Sequence, residues 1–444
     1  MNELGDRLRL ILRTAGAARS RDLQEATGTS QPTVSRGLAP LLKSGEVLRV
    51  GRARNQTYVM PRVIPGMASP TVPVMRVDAE GEVSSFGTLI PCAGGGYWME
   101  EEASARLHDG LPWFISDMRP QGFLGRSFAH AHSTLGLSLN PAQWTDDDVL
   151  RALWGAGDDL PGNLIVGGAS FDRYMHAPPQ QPVSSSQYAQ LADAAMQGAL
   201  PGSSAGGEHP KFCAARDDGQ PVIVKFSPAG ESRVDQRWAD LLTSEHIALQ
   251  TLASAGIKAA ESRIFRDGRT LLEVTRFDRT QRGRIGMVSL LSYDSEFVGQ
   301  VDNWAASAAR MATRGLLSDA DARTLRFLEA FGRLIANSDR HYGNVSLLVG
   351  SDSSWHLAPA YDMLPMLYAP IGGELVEREF DPNLLAPTSE TIDVWGEARR
   401  AARIFWDAVS NEPNLSNEFR TLAARHASQL AGSDRVRRPV AKTK

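Results

Sequence analysis

Cysteine is nearly missing from this chain. Only Cys92 and Cys213 occur among 444 residues, which argues against a disulfide framework or a cysteine-rich metal site and points to a reducing compartment. Long apolar runs are missing too: no stretch approaches the ~20 apolar residues that a membrane helix needs. Residues 1–13 read as a charged amphipathic helix and not as a secretory leader, so the cytoplasm is the expected location and no membrane partner is expected. A strong net charge is also absent, since 47 Lys and Arg against 51 Asp and Glu leave −4. That small sum hides an asymmetry. Residues 1–62 carry eleven basic residues and five acids, a balance of +6, so the remainder sums to −10. A basic module on an acidic body suggests that one end meets a polyanion. The length predicts two or three domains at roughly 150 residues each.

What the basic end does have is a helical pattern. Leu4, Leu8, Ile11, Leu12 and Ala15 recur at helical spacing, and a second short helix starts after Ser20 and turns at Gly28. A third follows, with Ser30 as its cap, Pro32 in its first turn, and Val34, Leu38, Leu41 and Leu42 on its buried face. Residues 47–50 and 56–60 then read as a hairpin around the basic turn 51–55. Three helices and such a wing predict a winged helix-turn-helix over residues 1–62, a fold that binds DNA or, in other cases, pairs proteins. In that motif the second helix of the pair enters the major groove and its N-terminal side chains meet base edges. Those side chains are Gln31, Thr33, Ser35 and Arg36, while Arg52 and Arg54 on the wing would meet phosphates or the minor groove. Pro40 departs from the pattern, because proline so deep in a helix should kink it or end it early.

The body holds a different signal. Residues 335–344 read Ile-Ala-Asn-Ser-Asp-Arg-His-Tyr-Gly-Asn, and Asp362 follows eighteen residues after Asn344. Phosphoryl transfer in protein kinases uses an Asp that orients the attacking hydroxyl, an Asn five residues on that holds a metal ion, and a later Asp that grips Mg²⁺. Asp339, Asn344 and Asp362 fit those roles. The apolar runs 345–349 and 355–360 predict a hairpin that would bring Asn344 and Asp362 together. Upstream, the Gly-rich stretch 201–211 combines a hydroxyl pair and a lysine in a form suited to an anion nest, or to a flexible hairpin loop. The strand 221–226 carries Lys225 in an apolar run, where an ammonium needs an anionic partner. Glu245, on a helix over 239–255, is the candidate partner, a surface salt bridge being the alternative. A further strand over 271–277 would place Thr275 and Phe277 at an adenine slot between two lobes. Residues 65–91 predict a small β-rich subdomain, 111–126 read as structural, and the Pro- and Ser-rich stretch 175–186 reads as an exposed connection.

Taken together, Ser204 to Lys211, Val224-Lys225-Phe226, Arg276-Phe277-Asp278-Arg279, Asn337 to Asn344 and Tyr361-Asp362 resemble the HipA-like serine/threonine kinases of bacterial type II toxin–antitoxin systems. The resemblance covers roughly residues 65–430, and the fused N-terminal helix-turn-helix is most similar to the YjjJ-type members. It implies an α+β chain: a winged helix-turn-helix (1–62), a β-rich subdomain (63–180), a kinase N-lobe part (181–282), a mainly helical C-lobe (283–432) and a basic tail (433–444). It implies ATP and Mg²⁺ as cofactors. Lys225 would bind the nucleotide phosphates, with Gly206, Gly207, Lys211, Glu245, Thr275, Phe277 and His341 around the nucleotide. Asp339 would act as base beside Lys225 and His341, Asn344 and Asp362 would hold the metal, and Ser204 or its neighbour Ser203 would be autophosphorylated. Thr275 stands where the family commonly has an acidic residue. Operator DNA, a protein substrate, an antitoxin and a second copy of the chain are the implied partners. Two alternatives use the same residues: a DNA-binding regulator whose body senses a ligand, and a small-molecule kinase.

Overall fold

The computed structural model describes residues 3–51, 56–102, 104–178, 180–197, 209–350 and 354–432. At the N-terminus, helices Glu3–Ala15, Ser20–Thr27 and Gln31–Lys43 bury Leu8, Leu12, Leu23, Val34 and Leu38 against one another. The strands Leu48–Val50 and Thr57–Val59 pair antiparallel, and a short strand, Ala17–Arg19, joins their sheet on the far side of Thr57–Val59. Three residues were too few for this strand to show a period in the sequence. Pro40 does not break its helix, contrary to expectation: Gln31–Lys43 runs through it. The proline sits on the solvent face, where water can satisfy the carbonyl that its missing N–H abandons.

This unit is seated on the next one. Gly16, at φ +75°, passes so close to Ala93 that a β-carbon would lie 2.6 Å from its carbonyl oxygen. Val59 packs with Ile90, Cys92 and Trp98, and the Arg62 guanidinium grips Asp147 at 2.5 and 2.7 Å. The second unit is a five-stranded antiparallel sheet, ordered Ala105–His108, Tyr97–Glu101, Val83–Pro91, Val72–Val77, Leu164–Val166. Its core, with Val72, Val74 and Leu89, is completed by Phe128 of helix Gly122–Ala131 and by Leu150 and Leu153 of helix Asp146–Ala156.

The remainder supplies two facing walls. One is a four-stranded antiparallel sheet, ordered Ser262–Arg266, Thr270–Thr275, Pro221–Phe226, Lys211–Ala215, backed by the long helix Arg233–Ser254. That helix begins earlier than its apolar face suggests, because Ser232 and Asp235 close a capping box ahead of it. The other wall is helical, built on Trp304–Thr313, Asp319–Leu334, Trp395–Asn411 and Asn417–Gly432. It carries a small sheet in which Met287–Ser289 and Trp355–Leu357 flank Ser346–Val349. No helix among the described residues is long and apolar enough to cross a membrane.

The Arg276-Phe277-Asp278-Arg279 motif ties these walls to the middle unit. Asp278 is buried and takes Arg276 at 2.9 Å and Arg279 at 2.7 Å, while Arg279 also reaches Asp159 at 2.9 Å. Burial opposes the Asp278 charge, yet the two guanidiniums hold its carboxyl far below the ordinary range.

Candidate active site

Alternation along Pro221–Phe226 buries Val222, Val224 and Phe226 in one core and turns Ile223 and Lys225 toward a cleft between the two walls. The Lys225 ammonium donates to Glu245 Oε1 at 2.6 Å and also to Asp362 Oδ1. Lys225 and Glu245 are 7% and 1% exposed, so the pair is internal, not the surface salt bridge that was the alternative. Burial by itself would discharge Lys225, but Asp362 and Glu245 outweigh it and raise its pKa. Burial also works against the Asp362 carboxylate, and Lys225 and Lys211 overcome it, holding Asp362 down to about 2. Burial raises Glu245, whose Oε2 makes no hydrogen bond.

The loop 335–344 leaves the end of helix Asp319–Leu334. Asn337, 1% exposed, organises it: its side-chain oxygen accepts the Asp339 N–H at 3.0 Å and its amide donates to the Asp362 carbonyl at 3.4 Å. The Asn344 amide nitrogen donates to the Asp339 carbonyl at 2.9 Å and to its carboxylate at 3.4 Å. The hairpin supplies the rest. Strands Ser346–Val349 and Trp355–Leu357 pair, and the Tyr361 hydroxyl lies 2.7 Å from Ser346 Oγ and donates to the Gly343 carbonyl at 3.1 Å. Ala336 (φ 60°) and Asp362 (φ 52°) are the two non-glycine residues with positive φ among the described residues. Left-handed backbone costs an L-residue of order 1–3 kcal/mol and gathers where a side chain must be aimed.

Lys211, Lys225, Thr275, Phe277, His341, Asn344 and Asp362 all line one cleft. Glu245 adjoins it through Lys225. Asp339 borders it through Asn344, with a side chain that is 49% exposed. Ser203, Ser204, Gly206, Gly207, Arg52 and Arg54 lie outside the described residues. Gln31, Thr33, Ser35 and Arg36 fall on the first turns of helix Gln31–Lys43 in the N-terminal unit.

One segment is corrected. Residues 111–126 read as structural, yet Asp117, Arg119 and Gln121 line the same cleft. Asp117 accepts from the Ser289 N–H at 2.6 Å and its hydroxyl at 2.5 Å, and burial raises its pKa. The available signal was polar residues spaced through an aromatic stretch, too common to weigh without contacts.

His209 stands against Trp238, ring centroids 5.0 Å apart. Burial, then Lys225 and Lys211, push its imidazole down to about 3. A folded-state pKa below the ordinary ~6.5 means that the unfolded chain takes up the proton first, so stability is complete above ~6.5 and falls as the solution acidifies toward 3. The melting temperature is therefore expected to drop between pH 7 and pH 5, and His209→Gln to flatten that slope; an unchanged slope would remove His209 as its source.

Family models match this chain in two places. Residues 203–430 match the HipA-like C-terminal domain and residues 68–175 the middle domain of YjjJ-like toxin. A curated protein of Escherichia coli (strain K12), Toxin YjjJ, is 35% identical over 441 residues, 95% of this chain and 96% of its own length. This chain belongs to the YjjJ-like, HipA-related family. The middle unit with its five-stranded sheet is thus the YjjJ-like portion, and the cleft lies largely in the HipA-like portion. Asp117, Arg119, Gln121 and Pro161 are the YjjJ-like contribution to its lining. The fold also has a solved counterpart: a chain from the Shewanella oneidensis MR-1 toxin–antitoxin complex of HipA, HipB and operator DNA superposes at TM-score 0.57 and 16% identity, covering 81% of this chain and 96% of that one.

Proposed function

We propose that this chain is an ATP-dependent serine/threonine protein kinase of the toxin type, with a winged helix-turn-helix in residues 1–62 that binds operator DNA. The observation that carries the kinase reading is the convergence of Glu245, Lys225 and Asp362 on one buried ammonium, with Asn344 in the same cleft and bonded to Asp339. Lys225 would hold the nucleotide phosphates, Glu245 keeping it charged and extended. Thr275 and Phe277 would line the base, at the edge between the walls. Asp339, open to solvent, would orient a protein hydroxyl and accept its proton as the hydroxyl oxygen bonds to the γ-phosphorus and ADP departs. The donor set suits Mg²⁺. Asn344 commits its nitrogen to Asp339, leaving its amide oxygen as a candidate ligand in the cleft that Asp362 also lines, and Mg²⁺ takes one or two such ligands plus phosphate oxygens and water. When bound, the ion neutralises charge on the phosphates. Ser204 or Ser203 is the proposed self-phosphorylation site.

The relative's name, Toxin YjjJ, supports the toxin assignment, and a counterpart complexed with HipB and operator DNA supports an antitoxin and DNA as partners. A cytoplasmic homodimer fits a two-fold operator. The test is incubation of the full-length protein with γ-labelled ATP, alone and with cell lysate. Label on Ser203 or Ser204 and on a lysate protein is the expected result. Label in a small metabolite alone would make it a small-molecule kinase, and no label would leave a ligand-sensing regulator.

For DNA, the exposed Gln31 and Arg36 are proposed to meet base edges. A contact of that kind is worth about 1–3 kcal/mol, so Gln31→Ala and Arg36→Ala are each expected to weaken retardation of operator DNA by about tenfold. Point variants are preferable to deleting residues 1–62, which would uncover Trp98 and Ile90, packed against Val59. Unaltered retardation in both variants would refute this placement.

A further inference from the structure

Asp339 and Arg340 are neighbours that face opposite ways. The Asp339 side chain is half exposed at the border of the cleft, whereas Arg340 turns back toward helix Asp319–Leu334 and keeps 23% of its side chain exposed. Its Nε donates to Glu329 Oε1 at 3.2 Å, and its Nη1 donates to the Asn337 carbonyl. Asn337 in turn accepts the Asp339 N–H at 3.0 Å. One guanidinium therefore joins a carboxylate of the helix to the residue that holds the Asp339 backbone.

The helix is shaped for this arginine. Glu329 lies between Leu328 and Ala330 of the apolar core, 4% exposed, and its Oε2 makes no hydrogen bond among the described residues. A carboxylate so deep needs a cation, and Arg340 supplies it. Gly332 stands three residues on, on the same face. Glycine is the poorest helix former after proline, and here Arg340 fills the room that its missing side chain leaves: a β-carbon would lie 2.6 Å from Arg340 Cδ and 3.4 Å from Cγ. Glu329 and Gly332 thus form a seat, charge and groove, for one side chain. None of Glu329, Gly332 and Arg340 lines the nucleotide cleft.

The loop above the seat is strained. Ala336 holds φ 60°, and left-handed backbone persists only where the surroundings over-determine it. The Asn337 N–H donates to the Gly332 carbonyl at 2.8 Å, and the Ala336 carbonyl accepts the Leu367 N–H at 3.0 Å. Arg340 is the third tie, and it lies next to Asp339.

We propose that Glu329, Gly332 and Arg340 are positioning residues, which hold Asp339 where it can take the proton of the attacking hydroxyl while touching neither nucleotide nor substrate. The proposal rests on the kinase reading and adds to it a device outside the cleft. Loss of the seat should slow transfer and spare nucleotide binding.

The test is self-labelling of the full-length protein with Mg²⁺ and γ-labelled ATP, its rate constant and half-saturating ATP concentration being measured separately. Arg340→Ala and Gly332→Ala are each expected to slow labelling by up to about 10²-fold, the scale of a misplacement of roughly 1 Å, at an unchanged half-saturating concentration. In the Asp339→Ala background the same substitutions should change the rate by less than about twofold, because no carboxylate is left to misplace. Arg340→Ala also strands Glu329, so adding Glu329→Gln should recover melting temperature and none of the rate. If Arg340→Ala fails to fold, Gly332→Ala carries the test, since it keeps every charged group. An equal fold-loss in both backgrounds, a loss confined to half-saturation, or a rate that recovers with the melting temperature would overturn the proposal and leave the kinase reading intact. Absence of label on the wild type would overturn both.

Discussion

Asp339→Ala is expected to lower phosphoryl transfer from γ-labelled ATP by about 10²–10⁴-fold, the range for losing a general base, with little change in nucleotide affinity or melting temperature. The separation of effects follows from placement. The Asp339 carboxylate is half exposed and touches the fold through the Asn344 amide, 3.4 Å away, and through His341 at 3.8 Å. Truncating it leaves no buried group stranded. Asp339→Asn should be equally inactive, since it keeps the shape and removes the proton acceptor. Transfer within about tenfold of the wild type in both variants would discard Asp339 as the base.

Lys225→Met should do the opposite and damage both activity and stability. It leaves the Glu245 and Asp362 carboxylates facing each other in a buried site without their shared cation. Removing one member of a buried ion pair costs about 3–5 kcal/mol, readable as a lower denaturant midpoint, and transfer should fall below detection. Adding Glu245→Gln should recover part of the stability, because the stranded charge is gone, and none of the transfer.

Acid gives a further signature of the same triad. The Asp362 pKa, about 2 when folded, lies below the ~3.9 of an unfolded Asp. Its stabilising contribution is therefore complete above ~4 and lost as pH falls toward 2. Lys225 is raised, so its contribution is complete below ~10.4 and lost as alkali titrates it. The stability gap between wild type and Lys225→Met should then narrow below pH 4. A constant gap would mean that the two groups are not energetically linked.

Much of the molecule was legible because local rules suffice for it. The strand Pro221–Phe226 lies where its β-branched run predicts, and the helices of the N-terminal unit follow their leucine spacing, although Ser30, at the N-cap position of Gln31–Lys43, makes no capping side-chain hydrogen bond. Other features were invisible for definite reasons. Ala17–Arg19 is a strand only because Thr57–Val59 offers it an edge. Pro40 is tolerated only because its side of the helix faces water. Asp117, Arg119 and Gln121 enter the cleft only through packing between units distant in the chain.

By itself the order of residues determined most of the longer elements, the charge asymmetry and the identity of a candidate phosphate-handling set, since periodicity and short motifs act over a few residues. Tertiary structure alone decided that Lys225, Glu245 and Asp362, up to 137 positions apart, share one ammonium. Long-range contacts of this kind are selected by burial. A charge is admitted to the interior only where the fold delivers its partner, and no local rule specifies where that will be.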